Sequence, residues 1–338
     1  MIVGVPREVK PGEQRVALLP EAVEAIVAEG HDVQVETRAG LTVGFEDQAY
    51  RDAGAMVVTP RDVWDADLVV KVKELQEEDL DHAQRGRTVF AFHHLVGAPE
   101  RTRAIAARGL TAIAFEMVRD TRGQFPMLAP MSRIAGRMAP AIAHNEIGRP
   151  PERVLVLGAG HAGEAAAEAA RKMGAHVTVL RRASATPQAI EHEALQADLV
   201  VGAVFAAGEP TPKLLPRELV RRMKRGAVIV DICIEEGGVG ETSRRTTHDE
   251  PTYVEEGVVH YCVGNMPAAW PREASAAISA AALPYILDLG RDEELGAAVL
   301  ANTDLRAGTL LWEGRVVHAG IANEAGLPYT SLSDAISA

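Results

Sequence analysis

Cysteine and aromatic residues are scarce in this chain. Its 338 residues include two cysteines, Cys233 and Cys262, and 4% aromatic residues. Two cysteines are too few for a disulfide framework, and these two lack the spacing of paired metal ligands. The scarcity excludes a small fold held together by disulfides and indicates a reducing compartment. We expect no metal site.

Long hydrophobic runs and an excess of positive charge are also missing. Charges at Arg7, Glu8 and Lys10 interrupt the N-terminal segment before an apolar run reaches signal-peptide length, and no later stretch approaches a membrane span. The formal net charge is -12. Nucleic acids and anionic membranes are bound through excess Lys and Arg, so we expect neither as a partner. A cytoplasmic protein is the expectation.

Apolar sequence is abundant, but it comes in short runs. Hydrophobic residues make up 47% of the chain, which is typical of globular proteins, and the length suits two domains of about 150 residues. Runs that predict strands lie at 2–5, 33–36, 68–72, 89–92 and 112–115, and stretches that predict helices lie at 21–29 and 100–108. This alternation predicts β-α-β units on mostly parallel sheets.

Residues 153–182 read RVLVLGAGHAGEAAAEAARKMGAHVTVLRR and contain Gly158, Gly160 and Gly163 in G-x-G-x-x-G spacing. In a strand–helix turn the first glycine permits the bend, the second lets the backbone approach a pyrophosphate, and the third allows close helix packing. Backbone N–H groups at the helix N-terminus can then bind the phosphates. The segment predicts a dinucleotide-binding unit; the alternative is an ordinary tight turn without a ligand.

The second strand of this unit ends at Arg181 and Arg182, with Ser184 close by. Enzymes that use NAD usually carry an acidic residue there for the ribose hydroxyls. Two guanidinium groups and a hydroxyl suit a 2′-phosphate instead, which indicates NADP. The alternative is that both arginines are solvated charges at a strand end.

A second α/β series begins at VLVLGAG, after a helical stretch at 131–148 that stops before Pro150 and Pro151. An Ala-rich helical stretch at 273–289 could carry the chain back. We therefore predict an α/β fold of two Rossmann-like domains with parallel sheets and the active site in the cleft between them. A discontinuous substrate domain would comprise 1–130 plus 285–338, and the dinucleotide-binding domain with its connecting helices would comprise 131–284.

Cations and histidines follow predicted strands in the first half of the chain. Lys71 and Lys73 end LVVKVK, His93 and His94 lie in VFAFHHL, and Arg15 follows an N-terminal loop. The carboxyl ends of parallel strands line the ligand crevice of an open sheet, where a neutral imidazole can act as an acid or base. Each residue could equally be a surface charge or a structural hydrogen-bonding group.

Nearly the whole chain resembles bacterial alanine dehydrogenase and the NAD-binding subunit of proton-translocating transhydrogenase. The resemblance begins at VGVPREVKPGEQRVALLP. It continues through KVKE at 71–74, FHHL at 92–95, LAPMSRIAGR at 128–137, GAGHAG at 158–163, ADLVVGAV at 197–204, VDICIEEGG at 230–238 and YCVGNMPA at 261–268. The FHHL and NMPA elements are more similar to the dehydrogenase.

The resemblance implies NAD(P)-dependent oxidative deamination of a small L-amino acid, or reductive amination of its 2-keto acid, with alanine and pyruvate as the leading pair. Arg15 would bind the substrate carboxylate, Lys73 would contact the keto or amino group, and His94 would shuttle protons. The residues that would line the cofactor are Ser132, Gly158, Gly160, His161, Ala162, Gly163, Val204, Ile232, Val263, Asn265 and Met266.

The chain departs from the family pattern in several places. Glu235 matches the family's catalytic aspartate with one more methylene, and Arg181 matches its ribose-binding acid. Residues 183–197 are fewer than in the family's equivalent segment, and a further deletion precedes VLVLGAG. Resemblance therefore favours NAD, whereas Arg181 and Arg182 favour NADP.

Two other functions stay open. One is a nucleotide-binding module, transhydrogenase-like or degenerate, without amino-acid turnover, and the other is a sister reductase acting on a different amino or imino acid. The expected partners are the small amino or 2-keto acid, ammonia, and further copies of the chain in a hexamer or dimer.

Overall fold

Parallel β-strands alternate with helices in the computed structural model, which describes residues 1–204, 210–291 and 294–337. The strands are β1 Ile2–Val5, β2 Asp32–Glu36, β3 Met56–Val58, β4 Leu68–Val70, β5 Thr88–Ala91, β6 Thr111–Ala114, β7 Arg153–Leu157, β8 His176–Leu180, β9 Leu199–Gly202, β10 Val228–Asp231, β11 Thr252–Glu255, β12 Val258–Tyr261, β13 Thr309–Trp312 and β14 Arg315–Val316. The α-helices are α1 Pro20–Ala28, α2 Asp47–Asp52, α3 Glu77–His82, α4 Pro99–Arg108, α5 Leu128–Ile147, α6 His161–Lys172, α7 Pro187–Ala194, α8 Arg217–Arg222, α9 Pro271–Leu289, α10 Leu295–Ala301, α11 Thr303–Gly308, α12 Ala319–Ala325 and α13 Leu332–Ser337.

The chain divides into two units. The first unit combines Met1–Leu128 with Pro271–Ala338, and the second unit is Ala129–Trp270. The chain re-enters the first unit at Pro271, earlier than the predicted residue 285, because the whole of α9 packs there. Two serines of α9 fix the N-terminal loop: Ser275 Oγ accepts the N–H of Val16 at 2.9 Å, and Ser279 Oγ accepts that of Leu19 at 3.0 Å.

The first unit is built on a sheet with strand order β14-β13-β6-β5-β4-β1-β2-β3. Strands β1 to β6 are parallel, and the antiparallel β13 extends the sheet beside β6. All residues of β4, β5 and β6 are buried, as expected for parallel strands covered on both faces. The order reverses at β1, between β2 and β4. Ligands of open α/β sheets bind at the carboxyl ends of strands at such a reversal.

The second unit has a sheet with strand order β11-β12-β10-β9-β7-β8, in which only the edge strand β11 is antiparallel among the described strands. Its order reverses at β7, between β8 and β9. The segment predicted to be shortened still carries a crossover helix, α7, between these two strands. Thr186 caps that helix, since its Oγ1 accepts the N–H of Ala189 at 3.2 Å.

Helix α5 runs through Pro140 and stops at Ile147, just before the Pro150-Pro151 pair. The predicted helix and its proline stop are thus both present. Among the described helices, none combines the length and the apolar composition that a membrane crossing requires.

Candidate active site

Lys73 and His94 meet at the carboxyl edge of the first sheet, where they follow the adjacent strands β4 and β5. Lys73 Nζ lies 3.1 Å from His94 Nε2. Burial, together with the positive charge of Lys73, lowers the pKa of His94 to about 3, so its imidazole is neutral near pH 7. Because an ammonium group only donates, Nε2 is the acceptor, and the ring proton is assigned to Nδ1.

Lys71, two residues earlier, has a different environment. Its side chain is fully buried, and Nζ lies 3.2 Å from Glu8 Oε2 and 3.1 Å from Asp79 Oδ2. Glu8 also accepts the backbone N–H of Val72 at 2.6 Å and that of Lys73 at 3.3 Å. The ion cluster of Lys71 therefore fixes the strand end that carries Lys73.

Glu74 places a negative charge beside this pair. It accepts a hydrogen bond from Lys10, and Arg101 Nη2 lies 3.9 Å from its Oε1. Burial opposes ionisation of Glu74, but the hydrogen bond from Lys10 and the charges of Lys73 and Lys10 outweigh it and lower the pKa to about 2. Glu74 is consequently an anion that offsets the cations gathered at this edge.

Arg15 is buried in the loop that follows β1, and its guanidinium group is held by Glu13. Nε donates to Glu13 Oε1 at 2.7 Å, and Nη2 donates to Oε2 at 2.6 Å. The family resemblance implies that this guanidinium is the ligand of a substrate carboxylate. In the structure its Nε and Nη2 bind a carboxylate of the chain itself, which fixes the plane of the guanidinium group.

Glu116, which follows β6, binds the backbone of the two histidines and was missed by sequence reasoning. Its carboxylate accepts the N–H of His94 at 2.6 Å and that of His93 at 3.2 Å. Burial raises the pKa of Glu116 to about 7. Its position two residues after a buried strand, matching the strand-end positions of Lys73 and His94, is the signal that could have found it.

His93 is fully buried, and its Nε2 lies 3.0 Å from the carbonyl oxygen of Val89. Burial lowers its pKa to about 4. It is therefore a neutral core histidine, while its neighbour His94 faces Lys73.

Gly158, Gly160 and Gly163 form the turn between β7 and α6. Gly158 has a φ of 106°, and a Cβ there would lie 2.2 Å from the carbonyl oxygen of Ala203. A Cβ at Gly163 would lie 2.0 Å from the carbonyl oxygen of Gly158. A Cβ at Gly160 would meet no atom of the described residues within 4 Å. This loop thus combines close internal packing with open space at its middle glycine, which fits a pyrophosphate.

The other residues predicted to line the cofactor lie mainly on neighbouring strand ends of the second sheet. His161 and Ala162 begin α6, Ser132 lies in α5, Val204 follows β9, Ile232 follows β10, and Val263, Asn265 and Met266 follow β12. The N–H of Val204 donates to Cys233 Sγ at 3.0 Å, and Asn265 has a φ of 60°. The second sheet therefore places the strand-end residues of this set along the edge that carries the glycine turn.

Glu235 lies in the 3₁₀ turn Ile234–Glu236 after β10. Its Oε1 is 3.6 Å from Arg245 Nη2, and its side chain is exposed. The loop that follows is fixed by the buried Asp231, whose Oδ2 accepts the N–H of Val239 at 2.8 Å and the hydroxyl of Ser243 at 2.6 Å. A carboxylate is therefore presented on an anchored loop of the second unit.

Arg181 and Arg182 are exposed just beyond β8. Arg181 Nη2 lies 4.0 Å from Oε1 of Glu164, which is in the first turn of α6. Ser184 Oγ accepts the N–H of Arg181 at 2.9 Å and donates to its carbonyl oxygen at 3.2 Å. The hydroxyl closes the turn, while the guanidinium of Arg181 lies beside the helix of the glycine motif.

Among the described residues, no group of three or more His, Cys, Asp or Glu side chains is arranged to hold a metal ion.

Comparison with known families decides the relationship of the chain. Residues 4–135 match the alanine dehydrogenase/PNT N-terminal domain, and residues 135–192 and 181–319 match the C-terminal domain of the same family. The chain belongs to the alanine dehydrogenase/PNT family. The two C-terminal matches overlap at residues 181–192.

Individual family members match the chain over nearly its full length. The chain is 38% identical to alanine dehydrogenase of Staphylococcus haemolyticus (strain JCSC1435) in an alignment of 371 positions that covers 99% of each protein. It is also 38% identical to alanine dehydrogenase of Bacillus subtilis (strain 168), covering 99% of this chain and 98% of that protein.

Among solved structures, an L-alanine dehydrogenase superposes with a TM-score of 0.90 at 36% identity and covers 96% of this chain and 98% of its own. A transhydrogenase from Sinorhizobium meliloti superposes with a TM-score of 0.84 at 27% identity, covering 94% of this chain and 100% of its own. The predicted family resemblance and the α/β fold of two Rossmann-like domains are confirmed.

Proposed function

We propose that the chain is an NAD(P)-dependent alanine dehydrogenase that interconverts L-alanine with pyruvate and ammonia. The observation that carries the proposal is the Lys73–His94 pair, joined at 3.1 Å at the carboxyl edge of the first sheet. Its support comes from the full-length similarity to proteins named alanine dehydrogenase.

The substrate in the reductive direction is a small anion with a keto oxygen. Arg15, whose guanidinium is oriented by Glu13, would bind the carboxylate. The ammonium of Lys73 would donate to the keto oxygen as negative charge develops there. His94, which is neutral because burial and Lys73 lower its pKa, can accept a proton and return it.

Proton balance requires such a group. Pyruvate, ammonium, one hydride and one proton yield alanine and water, so the site must deliver a proton as well as a hydride. The nicotinamide, when bound, supplies or accepts the hydride. Glu235 is proposed as a second acid–base group, because it takes the place of the family's catalytic aspartate and lies on a loop anchored by Asp231.

The cofactor would be held by the glycine turn and the N-terminus of α6. The open space at Gly160 leaves room for the pyrophosphate, and the backbone N–H groups that begin α6 would donate to it. The strand-end residues Val204, Ile232 and Val263 would line the remainder.

We propose that NADP is preferred to NAD. The exposed guanidinium groups of Arg181 and Arg182 stand where a ribose-binding acid would otherwise lie, and Arg181 is next to the first turn of α6. The Ser184 hydroxyl is engaged with the Arg181 backbone, so recognition of a 2′-phosphate falls to the arginines.

The test mixes purified protein with pyruvate, ammonium and either NADH or NADPH, and follows the absorbance of the reduced nicotinamide. We expect oxidation only when all three reactants are present, with higher efficiency for NADPH. No oxidation with either cofactor or with a panel of 2-keto acids would overturn the enzyme proposal. NADPH binding without turnover would support the nucleotide-binding alternative, and turnover of other 2-keto acids in place of pyruvate would indicate a sister reductase.

The homo-oligomer, a hexamer or dimer, stays a prediction. Light scattering of the purified protein would check it.

A further inference from the structure

The backbone of His94 is bound on both of its polar groups. Its N–H donates to Glu116 Oε1 at 2.6 Å, and its carbonyl oxygen accepts from Arg101 Nη1 at 2.9 Å. The same two side chains also bind the backbone of His93: its N–H donates to Glu116 Oε2 at 3.2 Å, and its carbonyl oxygen accepts from Arg101 Nη1 at 3.4 Å. A carboxylate thus binds two consecutive N–H groups, and a guanidinium binds the two carbonyl groups of the same residues.

His94 has a φ of 47°, in the left-handed region of backbone conformation that residues other than glycine rarely adopt. Such a conformation persists only where the surroundings enforce it. The enforcement here comes from two separate elements, since Glu116 follows β6 and Arg101 lies on α4. Arg101 also approaches Glu74, the neighbour of Lys73, at 3.9 Å.

We propose that Glu116 and Arg101 are positioning residues that hold His94 in the left-handed conformation and thereby aim its imidazole at Lys73. This proposal rests on the proposed function, in which the Lys73–His94 pair performs the acid–base step. Glu116 and Arg101 act through the backbone of His94. A relaxed backbone would swing the ring away from Lys73 Nζ and leave the proton-transfer group misplaced.

The test is first spectroscopic, so that it does not depend on turnover. The chain has eleven histidines, and the His94 ring can be assigned by comparing histidine-labelled NMR spectra of the wild type and His94→Asn. The spectra are recorded above pH 7, where the wild-type Glu116 is ionised because its raised pKa is about 7, and where the neutral His94 ring accepts from Lys73 through Nε2. In Glu116→Gln, whose amide can accept only through its oxygen, the ring leaves Lys73, and the His94 signals shift because Nε2 loses the Lys73 ammonium as its donor.

Kinetics supply the second measurement. In Glu116→Gln we expect kcat to fall by about 100-fold, as expected for a catalytic group misplaced by about 1 Å, with a much smaller change in KM for the 2-keto acid. Arg101→Lys, which keeps the charge but loses the planar fork, should change kcat in the same direction. The matched controls are Glu100→Gln and Arg108→Lys on α4, the helix that carries Arg101. Both should leave kcat and the His94 signal unchanged.

Glu116→Asp guards against a variant that fails to fold, because it retains both acceptor oxygens and should give an intermediate His94 signal and kcat. A folded Glu116→Gln, or Glu116→Asp if the former does not fold, with wild-type His94 signal and kcat would overturn the proposal. If the wild type turns over no substrate but the His94 signal still moves in Glu116→Gln, the proposed function fails while the positioning role stands.

Discussion

The carboxyl edges of the two sheets differ in the residues that form them. In the first unit the edge carries buried charges that bind one another, such as Lys71 with Glu8 and Arg15 with Glu13. In the second unit the corresponding edge is formed by glycines and strand-end backbone around Gly160. Each edge lies where its strand order reverses, so the topology is shared and the side chains differ.

The difference follows from the ligands proposed for each edge. A small 2-keto acid offers one carboxylate and one carbonyl, so binding it needs a few charges in fixed positions. Charges can be buried only when they are paired, which explains the carboxylates that surround Lys71 and Arg15. A dinucleotide is large and is bound along its pyrophosphate by backbone N–H groups, so the second edge needs clearance more than charge.

Replacing Lys73 is expected to give the largest effect on the charged edge. Lys73→Met removes the donor aimed at the keto oxygen, so kcat/KM should fall by about 10² to 10³ in the assay with pyruvate, ammonium and NADPH. The exposed Lys172→Met on α6 is the control and should match the wild type. Near-normal activity in Lys73→Met would mean that the pair does not carry the reaction.

At the glycine edge, the effect of a glycine-to-alanine substitution should depend on the space available for the new Cβ. Alanine at Gly163 gains up to about 1 kcal/mol of helix propensity, but its Cβ would lie 2.0 Å from a carbonyl oxygen. We expect the steric overlap of this Cβ to outweigh the gain in helix propensity. The free energy of unfolding, measured in urea titrations, should therefore fall by about 1 to 3 kcal/mol.

Gly160→Ala is the matched variant for this edge. Its Cβ enters open space, so stability should stay unchanged while the affinity for the dinucleotide falls. Equal loss of stability in both variants would contradict the division between packing glycines and a binding glycine.

The pH dependence of stability should distinguish the charged edge from the glycine edge. Since burial raises the pKa of Glu116 to about 7, the native state binds more protons there than the unfolded state between about pH 4.5 and 7. This group therefore lowers stability as pH rises through that window. His94 has the opposite sign, because its folded pKa of about 3 makes stability rise with pH up to about 6.5.

Glu116→Gln should remove the opposing contribution. The comparison is made in the His94→Asn background, so that a change in the His94 pKa cannot contribute; there the free energy of unfolding of the Glu116→Gln variant should rise more steeply with pH than that of its parent, by about 3 kcal/mol across the window. Denaturant titrations at several pH values measure this slope, with Glu100→Gln as the control. Parallel slopes for the Glu116→Gln variant and its His94→Asn parent would count against the raised pKa of Glu116.

The smallest effect is expected at the exposed end of the nucleotide site. Arg181→Asp should shift the ratio of efficiencies from NADPH toward NADH by about fivefold, because contacts between exposed charges are weak. Arg171→Asp, on the exposed face of α6, should leave the ratio unchanged. An unchanged ratio in Arg181→Asp would remove the phosphate-binding role of that residue.

Local patterns predicted much of the fold. The apolar runs of β1, β2, β4, β5 and β6 and the glycine-marked unit of β7, α6 and β8 were expected from sequence, because parallel strands and tight turns impose constraints on neighbouring residues. Strand β3 and helices α2 and α3 were not expected, since three to six residues carry little periodicity.

The amino-acid sequence by itself determined the α/β class, the position of the dinucleotide turn and the residues that end each strand. Tertiary structure alone decided which of those residues are paired. Lys71 and Lys73 are indistinguishable by alternation, yet Lys71 binds Glu8, 63 positions away, and Lys73 binds His94. Glu116 gains its contact with His94 from 22 positions away. Such partners are brought together by sheet order, which no local pattern of residues encodes.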